Sequence, residues 1–555
     1  MAGVWLTGLI LVPLLSGSAL LGVLLFTPSA PRRRIAGRRI ALIVTGLATV
    51  CAAALALNGK QDVPFQLTWL PNAGAMTFSL LTTGLNAALV TTGSAFLALL
   101  VLAPRETTRT SAFGLLLLTL GAANTAFLSG HFLGRYVALE IAGVCLALVP
   151  LLTLARDAGP RLTKFVYLIL RVGDTGFLIA MLILMNAAGT LDIGPALESG
   201  ATLSATRLTW VIIGFVLAVW VKVGAWPFEG WQQIGEQFDP VSHGWTYATV
   251  MPNLGLYLLY RITPLLSQHP TLRAWVVWVS LGGMVLVTII ALLKRDLRSA
   301  LVYLNAAQGG LALCLATEGL QGLIAALLLV MTPLRLLFLW GSNVIQAATP
   351  RRRMGSALIG LGGVALTGFN MYLVWQLAQT AYVKITLTRS LIQAGIFRPT
   401  LPVLWEMTRS ALIPWPAVLL LAVIVVLIGG RYLAAARSAW KHSVSQAWEP
   451  ETPRQVQLLD SGLRKVADGL RTWFEIGFLE RIVTWTPRVF LGAAELLHRV
   501  VEQQGLEGTL RGTTKGVFAL SRWVQARHTG RLRANLQWVF VVLLVIIGLL
   551  IWQGW

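Results

Sequence analysis

The stretch Val221-Lys222-Val223-Gly224-Ala225-Trp226-Pro227-Phe228-Glu229-Gly230-Trp231 places a lysine inside an otherwise apolar span and a proline five residues later. The twelve residues before the lysine, WVIIGFVLAVWV at 210–221, carry no charge. A lysine at the centre of a membrane helix costs about 2.5–3.5 kcal/mol, so it requires a carboxylate, a hydrated cavity or a function. Pro227 lacks an N–H and clashes with the carbonyl four residues back, near Val223, which predicts a helix break beside the amine. Two readings follow. Lys222 is a proton site, or it is a lysine snorkelling from a helix end, with Arg207 near the other end of the same span.

Working outward, the whole chain is apolar enough to make this a membrane question. Of 555 residues, 56% are hydrophobic and 12% charged, and the mean hydropathy is +0.73, which excludes a soluble enzyme and predicts an all-α polytopic membrane protein. Cys51, Cys145 and Cys314 all fall inside apolar spans, so neither a disulfide framework nor a cysteine metal site is expected. The six histidines show no metal-binding spacing. No glycine-rich dinucleotide loop or cysteine cluster is present, so no cofactor is expected in this chain. The net charge of +22 sits mostly in short loops and one C-terminal region, which fits topology and anionic lipid rather than nucleic acid.

Apolar runs long enough to span fall at about 3–27, 40–58, 77–103, 111–129, 132–155, 165–188, 208–228, 244–263, 273–293, 299–317, 320–346, 356–378, 410–434 and 536–552, about fourteen in all. The first lacks a basic leader and a small-residue cleavage site and is read as a retained helix. Charges interrupt 380–409, which reads as re-entrant or interfacial. Basic residues crowd alternate loops, at Arg32 to Arg39, Arg105 and Arg109, Arg156 to Lys164, Lys294 to Arg298 and Arg351 to Arg353. The positive-inside rule puts those loops in the cytoplasm and the N-terminus outside. From 436 to 534 the chain turns charged and amphipathic, with apolar residues at three- and four-residue steps. This reads as a lateral helical arm on the cytoplasmic side, or as a helical domain folded on itself, followed by an anchor at 535–555.

Other charges lie inside apolar spans. Glu140 stands near the middle of its helix, and pairing with Lys222 would satisfy both. Arg171 and Asp174, three apart, face one side of a helix and are read as a structural ion pair. Arg335 follows Pro333, a second expected helix break; its guanidinium suits a fixed charge rather than a relay.

The residues resemble a known family. LRVGDTGFLIAMLILMNAAGTLD is similar to a sixth-helix signature of the large antiporter-like membrane subunit of respiratory complex I, the NuoL/NdhF type. YVALEIAG resembles that family's glutamate helix, and KVGAWPFEGWQQIGEQFDPVSHGWTYATVMPNLGLYLLYRITPLL its lysine-proline helix and the one after. DLRSALVYLNAAQGG, LRLLFLWGSNVI and the segment entering the last helix follow in the family's order, so the resemblance runs from about 65 to the end. It implies antiporter-like inverted repeats: N-terminal helices at 1–130, a first half-channel at 131–263, a second at 264–435, a lateral helix at 436–534 and a final anchor. It also implies that Glu140 and Lys222 form the proton-loading pair.

Departures from the family pattern accompany it. Glu229 stands where histidine is usual, Thr246 or Tyr247 occupies the place of another histidine, Arg335 falls within one residue of a lysine, and Tyr372 lies opposite a missing distal lysine. The resemblance therefore implies a proton-translocating subunit with a degenerate exit half and no redox centre of its own, in a bacterial cytoplasmic membrane. Its partners would be other membrane subunits, clamped by the arm, and lipid. The alternatives are a subunit of an inorganic-carbon uptake system or of a multi-subunit cation/proton antiporter, or a scaffold that does not pump.

Overall fold

A computed structural model describes residues 2–26, 31–57, 67–68, 77–78, 80–102, 110–154, 158–266, 269–293, 297–346, 352–393 and the isolated positions 423, 425, 426 and 430. The chain divides into two compact units, Met1–Leu20 with Ala30–Glu451, and Leu21–Ser29 with Thr452–Trp555. The account below concerns the first unit.

In chain order the helices are α1 (Ala2–Phe26), α2 (Pro31–Leu57), α3 (Gly84–Leu102), α4 (Thr110–Leu128), α5 (Phe132–Thr153), α6 (Ala158–Ala188), α7 (Ile193–Glu198) and α8 (Ala205–Val223). They continue with α9 (Gly230–Ile234), α10 (Pro240–Ser242), α11 (Met251–Leu266), α12 (Pro270–Leu293), α13 (Leu297–Thr317), α14 (Gln321–Gln346) and α15 (Arg352–Gln393). The π-helical segment His243–Val250 joins α10 to α11 without a gap. Eight of the helices described are long and apolar enough to cross a membrane, which makes the chain a polytopic helical protein. Large apolar side chains face outward, among them Ile43, Val50, Trp210, Trp275 and Trp375. Water would penalise such a surface; lipid matches it.

Several expected boundaries shift. The span expected from 77 begins at Gly84, because Thr77–Phe78 pairs antiparallel with Leu67–Thr68 in a two-residue hairpin that an all-α reading did not foresee. The span expected at 356–378 continues to Gln393 as one helix, so 380–393 is an extension of that helix rather than a re-entrant segment; 394–409 lies outside the described residues. So do the arm at 436–534, the last anchor and nearly all of 410–434.

α4 is the most enclosed of the spanning helices, and small residues bring neighbours onto it: a Cβ on Gly121 would meet Leu14, and one on Gly17 would meet the Gly114 carbonyl at 2.8 Å. The same device joins α6 to α8. A Cβ on Gly176 would lie 2.6 Å from the Gly214 carbonyl oxygen, and one on Gly173 would lie 2.9 Å from Val221 Cβ. In a membrane, where burying apolar surface drives little helix association, such backbone approach supplies van der Waals contact. It also fixes the spacing of whatever polar side chains flank the glycines, which here are Asp174 on α6 and Lys222 on α8.

Candidate functional site

α8 ends at Val223 because Gly224 takes a left-handed conformation (φ 65°), accessible to glycine without a Cβ penalty. The break expected at Pro227 therefore falls before it, and Pro227 stands in the following turn. Pro333, the second expected break, lies inside α14, which runs through it. The carbonyls freed at the end of α8 are tied by side chains of the next segment. Trp231 Nε1 donates to the Val221 carbonyl at 2.9 Å, and Gln232 Nε2 to the Val223 carbonyl at 2.7 Å. A polar residue after an apolar helix thus closes the helix end without solvent.

Lys222 is fully buried in the last turn of α8, and its ammonium donates to Asp174 Oδ1 of α6. Glu140 of α5 pairs instead with the Arg171 guanidinium. The expected partnerships, Glu140 with Lys222 and Arg171 with Asp174, are thus exchanged. The physical reason lies in the helix: residues three apart diverge by about 60° around the axis, so Arg171 reaches α5 while Asp174 reaches α8. The glycines beside Asp174 let α8 come close enough for its carboxylate to meet the amine.

The result is a row of four charges on three helices, Glu140–Arg171–Asp174–Lys222, alternating in sign and summing to zero. Arg171 is close enough to feel both carboxylates, and Asp174 acts on Glu140 as well. The two ends of the row differ. Lys222 and Asp174 are 0% and 3% exposed, whereas Arg171 and Glu140 are 30% and 17% exposed and are flanked by Tyr167 and Tyr136. Glu140 Oε1, Arg171 Nε and Asp174 Oδ2 are enclosed and meet no protein hydrogen-bond partner.

Arg335 stands apart from this row. It is buried, and it donates through NH1 to Asn253 Oδ1 at 2.8 Å and through Nε to Asn305 Oδ1 at 3.4 Å; Asn253 Nδ2 in turn donates to Thr332 Oγ1 at 3.0 Å. This amide patch links to α8 through α13, where Gly309, next to Gln308, packs on Val223. Glu229 is buried at the start of α9, in the turn that follows the α8 break. In the π-helical segment the Tyr247 hydroxyl donates to the Leu146 carbonyl at 3.0 Å and the Thr246 hydroxyl to the Ser242 carbonyl, so both are tied to backbone. Tyr372 on α15 is half-exposed. Among the described residues no cluster of His, Cys, Asp and Glu is set to hold a metal.

Asparagines 253 and 305 escaped the sequence reading, because a single amide in an apolar run carries no spacing signal. Asp174 was seen but given the wrong partner; Gly173 and Gly176 around it were the available clue to a close neighbouring helix.

Residues 129–396 match the family model described as NADH:quinone oxidoreductase/Mrp antiporter, TM. NADH-quinone oxidoreductase subunit L of Mycobacterium tuberculosis is 25% identical over 280 residues, 48% of this chain and 43% of that protein. NADH-ubiquinone oxidoreductase chain 5 of Neurospora crassa is 23% identical over 264 residues, 46% of this chain and 36% of the relative. The chain thus spans less than half the length of these curated relatives. The fold resembles a chain of the Mrp complex from a Dietzia species (TM-score 0.59, 15% identity, 97% of this chain and 62% of that one). It also resembles a chain of respiratory complex I from Thermus thermophilus (0.57, 19% identity, 83% and 94%) and one of an archaeal membrane-bound sulfane sulfur reductase (0.56, 16% identity, 86% and 95%).

Proposed function

We propose, from the premise that this chain is a divergent relative of the large antiporter-like membrane subunits of complex I, that it moves protons within a complex-I-like membrane assembly by re-pairing four charges inside its helical bundle. The observation that carries this reading is the alternating row Glu140–Arg171–Asp174–Lys222. In such a row the two inner charges, Arg171 and Asp174, each have a second possible partner in one another, so a small helix displacement that pairs them parts Glu140 and Lys222 from their present partners. A carboxylate parted from its cation takes up a proton; an ammonium parted from its carboxylate gives one up. The three atoms of the row without a protein partner support hydration there, since buried polar atoms nearly always find a partner.

In this reading Glu140 and Lys222 remain the loading residues, but they act through Arg171 and Asp174 rather than directly. Half-channels at 131–263 and 264–435 divide the work unequally. Toward the second half lie the amides Gln308, Asn305 and Asn253, and then the guanidinium of Arg335, which hardly ever releases its proton. The second half is therefore a poor conductor, and protons loaded at the row pass by a short route or to a neighbouring subunit. The 436–534 arm clamps those neighbours from the cytoplasmic side of a bacterial inner membrane.

The test is Lys222→Met in native membrane vesicles. Driven proton movement is expected to fall below about a tenth of the wild-type rate, with the complex assembled; an assembled variant that transports at the wild-type rate would support a scaffold instead. A second reading, a multi-subunit cation/proton antiporter, is favoured by the family description and by the coverage of the Mrp chain. Sodium-dependent proton exchange without any redox substrate would select it.

A further inference from the structure

α11 carries Asn253, Tyr257 and Arg261 at four-residue steps on one face, and a guanidinium attends each step. Arg335 donates to Asn253, Arg135 of α5 lies over the Tyr257 ring at 4.8 Å from its centroid, and Arg261 closes the row. Lys222 packs on the opposite face, where a Cβ on Gly255 would come within 3.0 Å of Lys222 Cβ. Without its charges this face would be a line of hydroxyls and amides: Thr332 to Asn253, then one turn along to Tyr257, whose hydroxyl donates to Asn86 Oδ1 at 2.8 Å. Once hydrated, such a line would pass protons between the amide patch and the end of the bundle where α3 and α5 begin.

Arg135 is the cation in the middle of it, and it is enclosed by protein. The residue is 2% exposed; Nε donates to the Ala126 carbonyl at 3.1 Å and NH2 to the Ser129 carbonyl at 2.8 Å, at the end of α4. Among the described residues its contacts are carbonyls and a ring rather than a carboxylate, its second terminal nitrogen meets no hydrogen-bond partner, and the ionised neighbour that bears on it, Arg261, has the same sign. Carbonyls at a helix end hold a guanidinium in place, but they leave its full charge acting on whatever passes.

We propose that Arg135 is a proton seal: a fixed, buried cation that closes the α11 face between the amide patch and the α5-start end of the bundle. The idea rests on the proposed proton function and adds where the route is shut. A guanidinium keeps its charge at any physiological pH, and a cation fixed in a narrow low-dielectric passage repels protons while leaving the membrane tight.

The experiment uses proteoliposomes holding the complex purified through this chain, with an imposed pH gradient, no driving reaction and a trapped pH dye. Arg135→Gln keeps a donor for one carbonyl and loses the charge; passive proton leak is expected to rise at least tenfold. Arg135→Lys keeps the charge and is expected to leak less than threefold above wild type. An Arg135→Gln complex as tight as wild type overturns the seal. So do equal leaks in both variants, which would mean that helix capping and not charge was lost, and so does a chloride flux that falls in Arg135→Gln, which would make the row an anion path. Should Arg135→Gln fail to assemble, Arg261→Gln at the more exposed end of the row carries the test, with a two- to threefold leak expected and none overturning the idea. Adding Lys222→Met to Arg135→Gln separates the two proposals. A leak that closes in the double variant supports both, whereas a leak that persists keeps the seal and removes the charge row from the route.

Discussion

Removing Asp174 and removing Glu140 should have different costs, and the difference tests which carboxylate holds the lysine. Asp174→Asn strands an ammonium that is fully buried, with its former partner 3% exposed. Breaking a buried pair from one side costs about 3–5 kcal/mol, because the surviving buried charge is left uncompensated. Glu140→Gln breaks a pair whose members are 17% and 30% exposed, but it leaves Arg171 under the influence of the Asp174 carboxylate, so its cost is smaller, about 1.5–3 kcal/mol. A double-mutant cycle read by denaturant unfolding in detergent isolates the pairwise part. Lys222 with Asp174 should couple by about 2–3 kcal/mol, and Lys222 with Glu140 by less than about 0.5 kcal/mol. If the Glu140 cycle gave the larger coupling, the exchanged pairing would be wrong and the direct glutamate–lysine contact expected from the sequence would stand.

The α6–α8 contact gives a second test: Gly214→Ala would drive a Cβ to 2.5 Å from the Gly176 carbonyl oxygen, and overpacking of this kind costs about 1–3 kcal/mol. Unfolding midpoint and driven proton transport should fall together, and a silent substitution would show that the helices do not set the Asp174–Lys222 distance. His131, outside the spans, caps α5 by accepting the Leu133 N–H at Nδ1, and burial lowers its pKa while Asp192 pulls it the other way. The folded state therefore binds fewer protons than the unfolded one, so its stability is lost as pH falls below about 6.5, by an amount of the order of one helix cap, about 1 kcal/mol. Thermal unfolding at pH 7.5 and 5 should show this loss in the wild type and a flatter profile in His131→Asn; identical profiles would remove the cap from the account. Deleting 436–534 should lose the neighbouring subunits on purification, and unchanged co-purification counts against a clamp.

What the sequence revealed was set by the kind of signal each feature leaves. Long apolar runs mark spans because the thickness of a bilayer dictates their length, and helices α4 to α6 fall close to where those runs lie. Charges inside the runs mark the site for the same reason, so Glu140, Arg171, Asp174 and Lys222 were all visible before any fold. Their pairing was not. It depends on how α6 is rotated between α5 and α8, and a helix's own periodicity says which residues share a face, not which neighbour that face meets. Arg135 was passed over because it sits one turn from a helix start, where an arginine ordinarily reaches water. Only its enclosure by α4 and α11 makes it unusual.

The end of α8 bears on how a proton waits. Lys222 stands in the last turn of a nineteen-residue helix, whose carbonyl pole acts like roughly half a negative charge. That pole belongs to the main chain and, in the proposed re-pairing, stays put while Asp174 changes partners. The amine thus has a permanent tether beside its removable one, and the site can reset its carboxylate first and release its proton second, in two moves rather than one.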